Sequence, residues 1–210
     1  MEKVKLAVLV SGGGTNLQAI LDAQNNGIIT DAKVKIVISN NSDAYALIRA
    51  KKFGVDTRVI EKKGISQEKF ESEIISLLQN YGIDLIILAG FMCILSENFT
   101  SKYKERIINV HPSLIPKFCG KGFYGLKVHQ AVLESGDKET GATVHFVNEI
   151  PDGGKIIAQE KVQVIEGDTP ETLQKRVMEK VEWKILPRAI QLVAKKIKGE
   201  LLWKGTKFMI

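Results

Sequence analysis

Apolar residues crowd positions 4–10 (VKLAVLV) and stop at a run of glycines, which predicts a strand buried on both faces. Residues 15–26 follow as a helix, with Leu17, Ile20 and Leu21 at helical spacing and Gly27 as its stop. The alternation then repeats. A strand is predicted over 34–39 (VKIVIS), a helix over 44–53 closed by Gly54, and a short strand over 57–60. Ser66-Gln67-Glu68-Lys69 opens a helix running to about Tyr81, with Phe70, Ile74, Leu77 and Leu78 on one face. Further buried strands are predicted at 84–89 (DLIILA) and 106–110 (RIINV). Strands separated by helix-length segments imply a parallel sheet covered on both sides.

The pattern changes after residue 125. A helix over 125–135 precedes two alternating strands, 142–147 (ATVHFV) and 155–164 (KIIAQEKVQV), of the kind found in antiparallel pairs. Pro151-Asp152-Gly153-Gly154 supplies turn chemistry between them. Thr169-Pro170-Glu171 starts one last long helix, with Trp183, Leu186, Ile190 and Val193 near one face. Trp203 and Phe208 belong to a short tail that could add an edge strand. There is no internal repeat, low-complexity stretch or linker. The expectation is an α/β fold in one domain over 1–210: a Rossmann-like, mostly parallel sheet flanked by helices, with an antiparallel extension in the C-terminal half.

Composition narrows the class. Hydrophobic residues make up 44% and charged residues 26% of the chain, the balance of a globular protein. No apolar run reaches the ~20 residues of a membrane span, and the N-terminus lacks the layout of a signal peptide. Two cysteines, Cys93 and Cys119, imply no disulfide framework and fit a reducing, cytoplasmic setting. The net charge of +6 is spread over scattered lysines without interleaved aromatics, so a solvated face is favoured over nucleic-acid or membrane binding.

Four segments carry candidate chemistry. Ser11-Gly12-Gly13-Gly14-Thr15-Asn16 lies between a buried strand and a helix, where backbone N–H groups and the helix terminus can cradle a phosphate. It is a poor dinucleotide fingerprint, because Leu17 occupies the third glycine position and the second strand ends in Ser39-Asn40-Asn41 without an acidic residue. An empty tight turn is the alternative. Asn109 and His111 follow a buried strand, and alternation sends both side chains to one side, where an amide and an imidazole could stabilise an oxyanion and manage a proton. Asp152 reads either as turn chemistry or as a carboxylate that orients His111, a contact that spacing does not reveal. Ala89 to Leu95 could form a slot for a flat ring or ordinary packing at a strand end. The three histidines are far apart and match no metal-ligand spacing, and His145 reads as a packed or surface residue. Glu182 reads as a helix-surface carboxylate.

Ser-Gly-Gly-Gly-Thr-Asn-Leu-Gln, Ala-Gly-Phe-Met, Asn-Val-His-Pro-Ser-Leu-Ile-Pro, Gly-Ala-Thr-Val-His-Phe-Val and Asp-Gly-Gly, in this order, resemble the folate-dependent formyltransferases. The glycine loop resembles the branch that acts on glycinamide ribonucleotide in purine biosynthesis. The resemblance implies the formyltransferase fold, with a nucleotide-phosphate half to about residue 105 and a folate and catalytic half beyond it. It implies transfer of a formyl group from 10-formyltetrahydrofolate to the substrate amine through a tetrahedral intermediate, without a metal. Asn109 and a protonated His111 would stabilise the oxyanion, and Asp152 would assist proton transfer. Gly13, Gly14, Thr15 and Asn16 would hold the ribonucleotide phosphate, and Glu182 the amine. Met92, Cys93, Ile94 and Leu95 would line the pterin pocket, with Cys93 standing where many members have arginine. Residues 117–123 fit a mobile loop at the mouth. Monomer and homodimer are both compatible. The rivals are formyltetrahydrofolate deformylase and methionyl-tRNA formyltransferase, which normally carry further domains that this chain is expected to lack, and a non-catalytic nucleotide-binding module.

Overall fold

The computed structural model describes residues 2–199. The tail with Trp203 and Phe208 lies outside the described residues. A seven-stranded sheet in the order β3-β2-β1-β4-β5-β6-β7 runs through both halves of the chain. Its strands are β1 (Val4–Val10), β2 (Ala32–Ser39), β3 (Asp56–Val59), β4 (Leu85–Leu88), β5 (Ile107–His111), β6 (Glu139–Phe146) and β7 (Ile156–Gln163). The first five pair in parallel, and β6 and β7 add antiparallel, as the change of pattern predicts.

Alternation along the strands feeds two cores. Leu6, Val8 and Val10 face one side with Ile87 and Ile108, beneath α1 (Thr15–Asn25), α2 (Tyr45–Lys52), α6 (Pro170–Val177) and α7 (Trp183–Ile197). Ala7 and Leu9 face the other side with Ile86 and Ile107, beneath Phe70, Ile74 and Leu78 of α3 (Gln67–Asn80) and Phe99 of α4 (Glu97–Lys102). A parallel sheet buried on both faces explains why its strands read as nearly unbroken apolar runs. The short helix α4 has no counterpart in the predicted elements; six residues are too few to show a period, and its one local signal is the Ser96 cap, which accepts from the Phe99 N–H. The remaining helix, α5 (Leu126–Ser135), packs against α6.

The predicted last helix is not continuous. A π-turn over Met178–Glu182 separates α6 from α7. Such a turn inserts a residue into the helical phase and rotates everything after it. Glu182 is thereby turned inward and is only 5% exposed, which corrects its reading as a surface carboxylate.

Strand order reverses between β1 and β4, since β2 and β3 lie to one side of β1 and β4 onward lie to the other. Crevices at such a switch point, beyond the carboxyl ends of the strands, are where open α/β sheets bind ligands. The ends of β1 and β4 are tied there by the Ser11 N–H donating to the Gly90 carbonyl and the Met92 N–H donating to Ser11 Oγ, at 3.1 and 2.8 Å.

Candidate active site

Beyond the ends of β4 and β5 opens a cavity of about 770 Å³. Asn109, His111 and Asp152 line it, and so do Met92, Cys93, Ile94 and Leu95. Asn109 and His111 stand two residues apart on β5 and share a face, as alternation requires. Asp152 arrives from the turn between β6 and β7, where its backbone is held at φ 56°. A non-glycine residue in that left-handed region is strained by a kcal/mol or more, so the surrounding turn must hold it there.

The turn brings Asp152 Oδ2 to 3.4 Å from His111 Nδ1 and to 2.9 Å from the Gly120 N–H, which donates to it. Its other oxygen lies 3.5 Å from Asn109 Nδ2 and 3.5 Å from His145 Nε2. Burial raises the Asp152 pKa, but the contacts with His145, His111 and the Gly120 N–H outweigh it, and the carboxyl is held below its ordinary range. His111 is 4% exposed. Burial pulls its pKa down, against Asp152 and the Phe118 carbonyl, while His145 adds to the depression. Burial therefore favours a neutral imidazole in the unliganded protein, in contrast to the protonated ring that the resemblance implies. His111 Nε2 lies 2.8 Å from the Phe118 carbonyl, which can only accept, so Nε2 carries the hydrogen and Nδ1 is left facing the carboxylate.

His145 is the member that sequence reasoning missed. It is buried on β6 directly opposite Asn109, and Asn109 Nδ2 approaches its Nε2 at 3.2 Å. His145 Nδ1 sits 2.8 Å from the Phe146 carbonyl and so donates there. Its Nε2 is thus the ring nitrogen that faces both Asn109 Nδ2 and Asp152 Oδ1. Alternation in the sequence placed His145 on a face of its strand; the cross-strand register that aims it at Asn109 has no local signal.

A second cluster forms where the glycine loop meets the π-turn. Gly14 has φ 70° and stands so close to α2 that a Cβ would lie 2.6 Å from that of Ala46, so glycine is required there for conformation and space. Gly13 is exposed, and its carbonyl accepts from Arg49 Nε at 2.9 Å. Thr15 and Asn16 open α1, and Asn16 Nδ2 donates to Glu182 Oε2 at 2.7 Å. Desolvation raises the Glu182 pKa to about 7, opposed by the Asn16 hydrogen bond. Asn16 Oδ1 is buried without a hydrogen-bond partner among the described residues. An amide oxygen beside a half-protonated buried carboxyl is a suitable receptor for an amine.

Glu182 has a consequence for stability. Folded, it keeps its proton up to about pH 7, whereas the free side chain releases it near 4.5. Folding is therefore most favoured below 4.5 and loses stability as pH rises through that window. Glu182→Gln should remove this loss, raising stability at ~pH 8 by up to about 3 kcal/mol and leaving it nearly unchanged at ~pH 4. Urea unfolding at both pH values checks it; an equal effect at the two would contradict a buried, titrating carboxyl.

The structure thus unites Asn109, His111 and Asp152 in one cluster and Asn16 with Glu182 in another. The first cluster comes wholly from the second half of the chain, and the second joins the two halves through residues 16 and 182. Cys93 accepts from Asn40 Nδ2 at 3.0 Å. Among the described residues no group of three or more histidine, cysteine or acidic side chains could hold a metal ion, and no helix is long and apolar enough to cross a membrane.

Residues 4–190 match the family model for formyl transferase. The phosphoribosylglycinamide formyltransferase of Haemophilus influenzae is 45% identical over 188 residues, which cover 89% of this chain and 85% of that protein. The enzyme of the same name from Escherichia coli is 42% identical over 83% of this chain and 80% of its own length. In fold, the glycinamide ribonucleotide transformylase 1 of Symbiobacterium toebii superposes with a TM-score of 0.87 at 42% identity, covering 97% of this chain and 92% of that one.

Proposed function

The chain belongs to the formyl transferase family, and we propose that it transfers the formyl group of 10-formyltetrahydrofolate to the amine of glycinamide ribonucleotide, as a cytosolic enzyme of purine biosynthesis. The observation that carries this reading is the convergence of Asn109, His111 and Asp152 on one end of a cavity whose wall at 91–95 is largely apolar. Exposed Met92 and Ile94 offer faces to a flat heteroaromatic ring, and the cavity volume suits a ligand of that size. The second cluster supports the other substrate. The glycine loop and the start of α1 would take the phosphate, and Glu182 with Asn16 would take the amine in its unprotonated, nucleophilic form.

In this mechanism the amine nitrogen attacks the formyl carbon, and the carbonyl oxygen gains negative charge. Asn109 Nδ2 donates toward that oxygen, and so does the His111 Nε2–H once it leaves the Phe118 carbonyl that it meets at 2.8 Å in the resting site. Asn109 Nδ2 meets His145 Nε2 at 3.2 Å and Asp152 Oδ1 at 3.5 Å in the resting site, and the longer contact is the one that yields. A neutral His111 facing the Asp152 carboxylate is placed to take up a proton as charge develops, because the adjacent anion stabilises the imidazolium. The proton lost by the attacking amine then passes to the departing folate nitrogen, with Asp152 assisting.

The test mixes the protein with both substrates and follows the folate absorbance. Turnover should require both, and Asn109→Ala should lower it about 10²- to 10³-fold with folding retained. Folate consumption without the ribonucleotide would indicate deformylase chemistry instead. Phosphate-ligand binding without any turnover would indicate a binding module.

A further inference from the structure

We propose that Glu71, on α3 and outside the cavity, is a positioning residue that holds the cavity wall in its binding shape and so sets affinity for the formyl donor. The proposal rests on the reading of this cavity as the folate site. Glu71 is 5% exposed, unusual for an acidic side chain, and oxygens so buried are stable only when they are well supplied with donors. They are supplied. Gln67 Nε2 and the Ser96 N–H both donate to Oε1 at 2.6 Å, and Ser96 Oγ donates to Oε2.

These bonds converge on the segment that forms the wall. Gln67 Nε2 also donates to the Ile94 carbonyl at 3.1 Å, so α3 grips the segment at residue 94 and again at 96. Phe70, on the same helix, stacks on Phe91 with ring centroids 6.5 Å apart and planes within 7°. From the other side Ser11 holds Met92, and Asn40 holds Cys93. Residues 91–96 are thus an irregular strip without strand or helix pairing of its own, fastened by side chains from its neighbours. Among the described residues only Glu71 takes both the backbone and the hydroxyl of Ser96, which is also the cap that starts α4. It therefore fixes where the wall ends and the helix begins.

Glu71→Gln keeps the shape but removes the charge, and its amide nitrogen either turns a donor toward the Gln67 and Ser96 N–H groups or reverses the bond with Ser96 Oγ. Loss of one charge-assisted hydrogen bond corresponds to a change of roughly tenfold. The expected result is a KM for 10-formyltetrahydrofolate raised about tenfold, with turnover at saturating donor and KM for glycinamide ribonucleotide within about twofold. Hydrogen exchange at the Ser96 amide should accelerate in the same variant. A purely structural role would lower thermal stability without separating the two KM values. An unchanged donor KM overturns the proposal, whether or not Ser96 exchanges faster, and so does an unchanged Ser96 exchange rate. Should Glu71→Gln fail to fold, Ser96→Ala cuts the same tie from the other side and should raise the donor KM about threefold; no rise overturns the proposal equally. Calorimetric titration of the unmodified protein with tetrahydrofolate separates the two levels. Absence of binding there sinks the folate reading of the cavity and this proposal with it, whereas binding that Glu71→Gln leaves unaltered sinks the proposal alone.

Discussion

Asp152→Asn is expected to lower kcat by about 10³-fold while the folded state survives. The carboxylate meets His111 Nδ1 and the Gly120 N–H through one oxygen and faces His145 and Asn109 through the other. An amide of the same shape can accept at only one of these ends. If its oxygen keeps the Gly120 N–H, its nitrogen is turned toward Asn109 Nδ2, donor against donor, and the amide that serves the oxyanion is displaced. The electrostatic loss is larger. Burial already depresses the His111 pKa, and the Asp152 carboxylate is the main influence that opposes it. Without the carboxylate the ring cannot take a proton at moderate cost, and the developing charge is left uncompensated. Steady-state kinetics with both substrates checks this. A variant keeping more than about a tenth of the normal turnover would show that Asp152 is turn chemistry after all.

Gly154→Ala should destabilise the protein by more than about 3 kcal/mol and take activity with it. A Cβ at this position would lie 1.7 Å from the Phe146 carbonyl oxygen and 2.7 Å from its carbon, so the obstacle is backbone that cannot rotate away. The contact falls where the β6–β7 ladder begins, with the Phe146 N–H donating to the Lys155 carbonyl at 2.9 Å. Relief requires prying the two strands apart at the turn that carries Asp152. Gly12→Ala is the control: a Cβ there has nothing within 4 Å, and its effect on stability should stay within about 0.5 kcal/mol. Denaturant unfolding of the two variants makes the comparison, and similar midpoints would show that the turn is more plastic than its geometry indicates.

The two predictions differ in how much of their basis is readable in the chain itself. That glycines stand at 153 and 154 marks a turn, and that Asp152 precedes them makes it a candidate; neither fact says that the turn closes over His111. The strands were legible because burial on both faces turns them into apolar runs, and the helices because α1 and α3 carry apolar residues at helical spacing and end near glycines. Asn109 and His111 were legible as a pair because the two-residue period of a strand is local.

What eluded the sequence was long-range. His145 joins the site through the register of β6 on β5, which pairs residues 36 positions apart. Glu182 turns inward because a π-turn breaks the phase of a helix whose pattern reads as continuous, and its partner Asn16 lies 166 positions away. Glu71 sits on the predicted helix beside its apolar face, and only the packing of α3 against residues 94–96 gives it something to hold. The sequence by itself determined all but the shortest helix and the break in the last one, the kind of sheet and the motifs at the strand ends, because these follow from short-range periods and turn chemistry. Tertiary structure alone decided which of those motifs meet and with what charge, because contacts between distant segments and the burial that shifts a pKa exist only once the layers have packed.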